Sequence, residues 1–338
     1  MLMTDIFADD AFQFANMTAA IQKLPYTENR LGELGLFGPG EGIQTGTVTL
    51  DVTDKQIKVL TSRPRGAPPE RAAKDPKAKM FALVVPHFQF EDHIEAASLL
   101  GKRQPGTSDL VSVATVINDS YQNMLNLQLA PTFEMLRLGA LQGVLRDGDG
   151  DVIYDYFDFF DATAVSVAFT FSSATFNVRA KCIEVKRAIR DQLGNVPFSG
   201  IHALCGSEFF DKLVSHPSVV QTYLNWQAAQ ELRSDYTETG FTFGGITFEE
   251  YRGVVGLPDD IGEIPADEAV FFPLGVPGMY RSYYAPATFL ETVGTVGQSM
   301  YAKVAPDLKY NAFVDTLMET NPLFVNTRPD AVIRGTMN

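Results

Sequence analysis

Residues 107–143 constrain this chain more than any other stretch. Leu110, Val113, Ala114, Ile117, Tyr121, Met124 and Gln128 recur at the three- and four-residue spacing that makes one stripe on a helix. Asp119, Gln122, Asn123 and Asn126 fall on the other side. Ser108 or Asp109 is the expected N-cap. About 35 residues at about 1.5 Å each would make a rod of roughly 50 Å, longer than a compact domain is wide. Pro131 objects, because it lacks a backbone N–H and crowds the carbonyl four residues back, which costs about 3 kcal/mol inside a helix. A kink or break is therefore expected at residues 129–131. Phe133, Leu136, Ala140 and Leu141 then resume the stripe, and Gly143 opens the run that ends it. Two ordinary helices of an ordinary α+β core fit this stretch about as well.

A chain of 338 residues can bury a full core, and a length like this predicts about two domains. Its formal charge of -14 argues against a sequence-independent nucleic-acid binder, which needs a clustered basic surface. The charge fits a protein that stays soluble when concentrated, or a wall that does not trap nucleic acid. Cys182 and Cys205 make no disulfide framework and suit a reducing compartment. No basic segment precedes an apolar run at the N-terminus, so no signal peptide is expected, and no apolar run reaches the ~20 residues a membrane helix needs.

Phe7, Phe12, Phe14, Ala15, Met17, Ala20 and Ile21 carry a short helical pattern before glycine and proline accumulate through residues 31–42. Residues 1–43 read as an arm leading away from the body, with flexible joints at residues 32–42 and 101–106. A phosphate-cradling loop at residues 38–42 is unconvincing: no strand enters it, no Lys-Ser/Thr follows, and Glu41 repels phosphate. Val48, Leu50 and Val52 alternate, and Ile57, Val59 and Thr61 resume after a turn, which predicts a β-hairpin. A proline-rich loop at residues 62–79 follows, carrying Arg63, Arg65, Arg71, Lys74, Lys77 and Lys79, and residues 81–90 return as a strand. The result is a two-stranded ribbon with a basic tip, marginal unless something outside the subunit covers it.

Residues 152–160 and 165–171 alternate as strands, and 176–193 form a helix. That helix carries Cys182, Val185, Ile189 and Leu193 on one face and Arg179, Lys186, Arg187 and Arg190 largely on another. A solvated face, or salt bridges to the chain's own acids, is the plainer reading of these four; contact with packaged nucleic acid or another acidic partner is the sharper one. Beyond a linker at 194–200 come helices at 207–215 and 217–232, a hairpin turning at Gly244-Gly245, and closing strands at 308–319, 323–327 and 331–334 expected beside the long helix.

The chemistry of a catalytic or metal site is not found. His87, His93, His202 and His216 lie too far apart for a metal spacing, and His202 with Cys205 reads as a buried structural pair. Residues 147–151 resemble the start of a calcium loop, but Val152 stands where the turn needs Gly, so a helix-to-strand turn is expected. Ser207, Glu208, Asp211 and His202 could be drawn as a triad, yet helix capping accounts for Ser207. No cofactor is expected, and a hydrolase is the weakest reading.

Three groups of motifs, taken in order, go beyond generic patterning. The first is Arg63-Pro-Arg-Gly-Ala-Pro-Pro, Phe81-Ala-Leu-Val-Val-Pro-His and Asp92-His-Ile-Glu-Ala. The second is Leu213-Val-Ser-His-Pro-Ser-Val, Tyr223-Leu-Asn-Trp-Gln and Phe243-Gly-Gly-Ile-Thr-Phe-Glu-Glu-Tyr-Arg-Gly. The third is Phe272-Pro-Leu-Gly-Val-Pro-Gly-Met-Tyr, Tyr283-Tyr-Ala-Pro-Ala, Tyr301-Ala-Lys, Asn321-Pro-Leu and Thr327-Arg-Pro-Asp-Ala. Over most of residues 45–335 the chain resembles the lambda-type major capsid protein E family of tailed bacteriophages.

The resemblance implies an α+β, Hong Kong 97-like capsid fold. It would have an N-terminal arm (1–43), an extended loop (44–103), a peripheral domain with the spine helix (104–193), an axial domain (194–300) and return strands of the peripheral domain (301–338). It implies a shell protein forming pentamers and hexamers of an icosahedral capsid around double-stranded DNA, assembled in the host cytoplasm with scaffold, portal and decoration proteins as further partners. Arg63, Arg65, Arg71, Lys74, Lys77 and Lys79 become candidate contacts between subunits. Arg179, Lys186, Arg187 and Arg190 become candidates to face the interior or a scaffold. An encapsulin-like cellular compartment shell on the same fold is the alternative.

Overall fold

The computed structural model describes residues 12–24, 29–52, 79–100, 112–173, 176–224, 240–253 and 261–337. The central stretch is two helices, α4 (Val113–Met124) and α5 (Ala130–Gln142), joined through one π-helical turn at Leu125–Leu129. Ser112 caps α4, its hydroxyl accepting from Thr115 N at 3.2 Å, so the helix begins later than expected; Ser108 and Asp109 lie outside the described residues. The break expected at Pro131 takes the form of a register change. Ala130 N–H reaches back five residues to Leu125 O, and Pro131, which has no N–H to give, follows in the first turn of α5. The wide turn also rotates the stripe: Ile117, Tyr121 and Met124 are buried, Leu125 and Leu129 take over, and Ala114 and Gln128 are exposed. Gly143 closes α5 in the left-handed region at φ 90°, where a Cβ would strike the Phe157 ring.

Residues 133–141 of α5 are all buried, because the helix lies between two cores. Leu138 and Leu141 belong to the first, and Phe133, Met135, Leu136 and Ala140 to the second. The first core is built on a six-stranded sheet. Its order is β7 (Val165–Phe169), β16 (Ile333–Met337), β11 (Glu268–Leu274), β8 (Gly200–Cys205), β10 (Ile246–Glu250) and β9 (Phe241–Phe243). Strand β8 is central and its residues 201–205 are all buried, as a strand covered on both faces must be. Gly244 and Gly245 join β9 to β10 at φ 60° and 76°, the positive values a two-residue hairpin turn requires. Helix α7 (Val178–Leu193), capped by Asn177, buries Val178, Cys182, Val185, Ile189 and Leu193 in this core, and α8 (Ser207–Ser215) adds Phe209, Phe210 and Leu213. Burial pushes the Cys182 thiol up to about 12 and the Cys205 thiol up as well, so neither is a reactive thiolate.

The second core gathers α4 and one face of α5 under smaller sheets. One runs β13 (Tyr301–Pro306), β14 (Phe313–Thr320), β4 (Phe88–Glu95); another runs β1 (Glu41–Gly42), β12 (Tyr280–Tyr284), β15 (Pro322–Asn326). The ribbon β2 (Thr47–Val52) with β3 (Lys79–Val84) and the hairpin β5 (Val144–Arg146) with β6 (Val152–Asp155) complete it. Short helices lie at α1 (Phe14–Ile21), α2 (Arg30–Glu33), α3 (Ala96–Leu99), α6 (Tyr156–Phe160) and α9 (Pro217–Leu224).

Several expectations change. Strand β2 pairs antiparallel with Lys79–Val84, and residues 57–61, expected as its partner, lie outside the described residues. The strand expected at 81–90 is two strands split at Pro86, because β3 follows β2 whereas β4 follows β14 in a different sheet. Residues 156–160 form a helix rather than a strand, since the Asp155 carboxylate accepts from Phe157 N and Asp158 N and caps it. Residues 147–151 turn between two strands: Asp147 Oδ1 accepts from Asp149 N at 3.1 Å and Asp151 N at 2.9 Å. Gly206, not Ser207, occupies the N-cap of α8. Helix α9 is described to Leu224, and residues 225–232 lie outside the description. Of the closing strands, β14 and β15 pack on the long helix, but β16 enters the six-stranded sheet between β7 and β11. That sheet, with α7, thus mixes residues assigned by resemblance to both the peripheral and the axial parts.

The arm is the largest correction. Its described residues do not lead away from the body: Leu31 is buried in the first core, and Met17, Ile21 and Phe37 in the second. The joint expected at 32–42 is held in place. Ser282 Oγ donates to Phe37 O at 3.2 Å, Ile43 N donates to Tyr284 O at 2.9 Å, and β1 runs parallel to Tyr283–Tyr284. Gly42 is needed for closeness rather than freedom, because a Cβ there would collide with Gly297 O. Residues 101–106, the other expected joint, lie outside the described residues.

Candidate assembly surface

Arm, long helix and six-stranded sheet meet at a polar cluster. The Arg30 guanidinium donates to both oxygens of Glu249 on β10, at 3.0 Å from Nη2, and its Nη1 donates to Glu33 at 2.9 Å. His202 on β8 lies 3.1 Å from the same Glu249 carboxylate. Burial works to raise the Glu249 carboxyl, and the hydrogen bonds from His202 and Arg30 outweigh it, holding it below the ordinary range. The expected His202–Cys205 pair is corrected: His202 is buried against Glu249, and the Cys205 thiol points to Ala203 O. One turn away, Glu134 of α5 accepts from Leu31 N at 2.8 Å and from Tyr251 OH at 3.0 Å through one oxygen. Desolvation raises that carboxyl despite these donors. Nothing in the local pattern announces these partners; the one signal is an acid inside the apolar run Phe133-Glu134-Met135-Leu136.

The ribbon is rooted in its own subunit. Val48, Leu50 and Leu83 are buried, Phe81 packs on Phe159 and Phe160 at 5.0 and 5.4 Å, and Tyr154 OH donates to Val84 O and accepts from Val84 N. Part of the cover for these strands thus comes from Tyr154, Phe159 and Phe160 of the same chain. Where the chain turns from β3 into β4, His87 Nδ1 stands 2.8 Å from Asn321 Oδ1, and the fully buried Glu319 lies 3.4 Å away. Arg63, Arg65, Arg71, Lys74 and Lys77 lie outside the described residues; Lys79 begins β3.

Alternation along β4 sends Phe88, Phe90 and Ile94 toward α4 and Gln89, Glu91, His93 and Glu95 outward. Asp315 of β14 stands opposite His93, and its hydrogen bond at 2.5 Å holds the imidazole above its ordinary pKa. This outer face is therefore acidic. Helix α7 presents the opposite charge. Arg179, Arg187 and Arg190 are exposed, Lys186 is half-buried, and the exposed Ile183 falls within their stripe. Among the described residues no carboxylate lies within ion-pair distance of these four; Lys181, on another side, takes Glu184 at 2.9 Å. Arg190 instead lies 5.9 Å over the Phe198 ring. Among the described residues no group of His, Cys, Asp and Glu could hold a metal ion, and no helix is long and apolar enough to cross a membrane.

The family model for phage major capsid protein E matches residues 13–337. The chain belongs to that family. This capsid chain is 29% identical over 344 residues to the major capsid protein of Pseudomonas phage KPP10, covering 96% of each. It is 22% identical over 320 residues to that of Salmonella phage Felix O1, covering 86% of this chain and 87% of the relative. The mature capsid of bacteriophage PhiM1 has the same fold: TM-score 0.53 at 13% identity, over 93% of this chain and 85% of that one. The capsid chain thus has the Hong Kong 97-like fold and is the shell subunit of a tailed-phage virion, assembled from copies of itself. The family's role is structural, in keeping with a molecule whose charged clusters tie elements together.

Proposed function

We propose that copies of this chain close into pentamers and hexamers of an icosahedral head around double-stranded DNA, in the host cytoplasm, with scaffold, portal and decoration proteins as partners. Residues 194–300 make the axial domain, around the five- and six-fold positions, and 104–193 with 301–338 the peripheral domain, the first core drawing on both. The observation that carries this reading is the ribbon, whose two strands are anchored in the second core while the segment between them carries Arg63, Arg65, Arg71, Lys74 and Lys77. A basic segment between two rooted strands is a contact waiting for an acidic partner. The outward Glu91, Glu95 and Asp315 of a neighbouring copy supply that charge. Lys79, the first residue of β3, belongs to the same contact. Helix α7 faces the interior, where Arg179, Lys186, Arg187 and Arg190 meet packaged DNA or a scaffold without sequence preference.

Deleting residues 64–78 tests the contact. The subunit should stay folded and soluble, because no described core residue is lost, and closed shells should disappear under the electron microscope. Normal shells from the deleted chain would contradict the assignment.

A further inference from the structure

Residues 29–31 of the arm make three contacts in a row where the long helix meets the six-stranded sheet. The Asn29 side-chain amide donates to Ala130 O at 3.2 Å, at the residue where the π turn gives way to α5. The Arg30 guanidinium spans both oxygens of Glu249 on β10, and Leu31 N donates to Glu134, one helical turn beyond Ala130. Helix and sheet are thus tied together through α2, four residues that are too short to hold a helix by themselves in water. The arm is fixed again on either side of α2. Before it, Thr18 Oγ1 accepts from Ala302 N at 3.3 Å; after it, Ser282 Oγ donates to Phe37 O and β1 runs along β12. Helix α2 is a strap fastened beyond both its ends.

Every charged group under the strap has a second partner that stays with it when the strap lifts. Glu249 keeps His202 at 3.1 Å, and Glu134 keeps Tyr251 OH at 3.0 Å. Arg30 carries Glu33 with it at 2.9 Å, and its side chain is already 34% exposed. Lifting therefore strands no buried charge, the step that makes breaking a buried ion pair so unfavourable. Glu134 Oε2 is buried and has no hydrogen-bond partner among the described residues, so water entering under a lifted strap would satisfy it. Leu31, 1% exposed and sharing the first core with Leu138 and Leu141, makes the closed form the resting one.

We propose that residues 29–33 are a latch that lifts as a unit while both cores stay folded. Closed, it fastens α5 to β10 just past the π turn; open, it lets the long helix shift against the sheet at that turn. A helix ladder already widened to a π turn is where such a shift is taken up. The latch belongs to the single chain and does not depend on shell assembly.

Hydrogen–deuterium exchange of the full chain, with and without Arg30→Ala, tests it. In the variant the amides of Leu31, Glu33, Leu34 and Gly35, and those of residues 126–130, should exchange about tenfold faster or more, while those of α1, β8 and β11 keep their wild-type rates. Arg30→Lys keeps the charge and loses the two-pronged grip, so it should show the same pattern at smaller amplitude, and it carries the test if Arg30→Ala does not fold. Equal acceleration in β8 and β11 would make Arg30 an ordinary part of the cooperative fold. Unchanged rates at 31–35 would mean that it fastens nothing, and unchanged rates at 126–130 would separate the latch from the turn; any of these results overturns the proposal. A chain that never forms shells refutes the assembly reading and leaves the latch standing.

Discussion

Glu134 is 1% exposed in a helix with apolar neighbours, and a single one of its oxygens receives both Leu31 N and Tyr251 OH. Burial raises its carboxyl above the ordinary 4.5, so the folded chain holds this proton more tightly than the unfolded chain does. The sign follows: the contribution is fully present below about 4.5 and is lost as pH rises through the raised value. Glu134→Gln keeps the accepting oxygen and removes the titration. It should change stability by less than about 1 kcal/mol at pH 4 and flatten the decline at higher pH. Glu134→Ala strands two donors and should cost about 2–4 kcal/mol throughout. Denaturant unfolding across pH reads both variants; equal behaviour of Gln and Ala would contradict the assigned hydrogen bonds. An acid amid Phe133, Met135 and Leu136 was visible in the sequence as an anomaly. Its partners were not, because Tyr251 lies 117 positions away and Leu31 103.

At the scale of elements, the patterns that repeat locally were readable and those completed by distant partners were not. Helix α7 follows from Cys182, Val185, Ile189 and Leu193, and the β9–β10 hairpin from Gly244-Gly245, since each is specified within a few residues. The arm misled because its glycines suggest freedom while Leu31 and Phe37 find their pockets on elements far along the chain. Pro131 showed where the long helix changes, but not that a π turn absorbs the change. The basic segment at 62–79 is legible as charge, and the acidic face proposed as its partner is not, because Glu91 and Asp315 come together only when β4 pairs with β14. Helix α7 carries its own prediction. Reversing Arg179, Arg187 and Arg190 to Glu should leave the subunit folded, since all three are exposed, while lowering DNA retention or scaffold incorporation several-fold. Gel quantification of purified particles measures this, and unchanged content would leave the face merely solvated.

Across the whole molecule, two cores share one helix, and an arm and a cluster of ion pairs bind them into a unit. That unit leaves open an acidic sheet face on β4 and β14 and exposed basic side chains on α7, and it roots the two strands that flank the basic segment at 62–78. Under the proposed assembly a second copy satisfies what the first exposes, in keeping with a family of shell proteins. Stable protein interfaces bury roughly 1,200–2,000 Å² in total, and a subunit with several such contacts gains much more in a lattice than in any one pair. Electron microscopy of the purified chain over a range of concentrations, alone and with its scaffold, is the most direct measurement. Closed shells of defined diameter, appearing above a threshold concentration, are the predicted result. A monomer at every concentration, with and without its assembly partners, would contradict it.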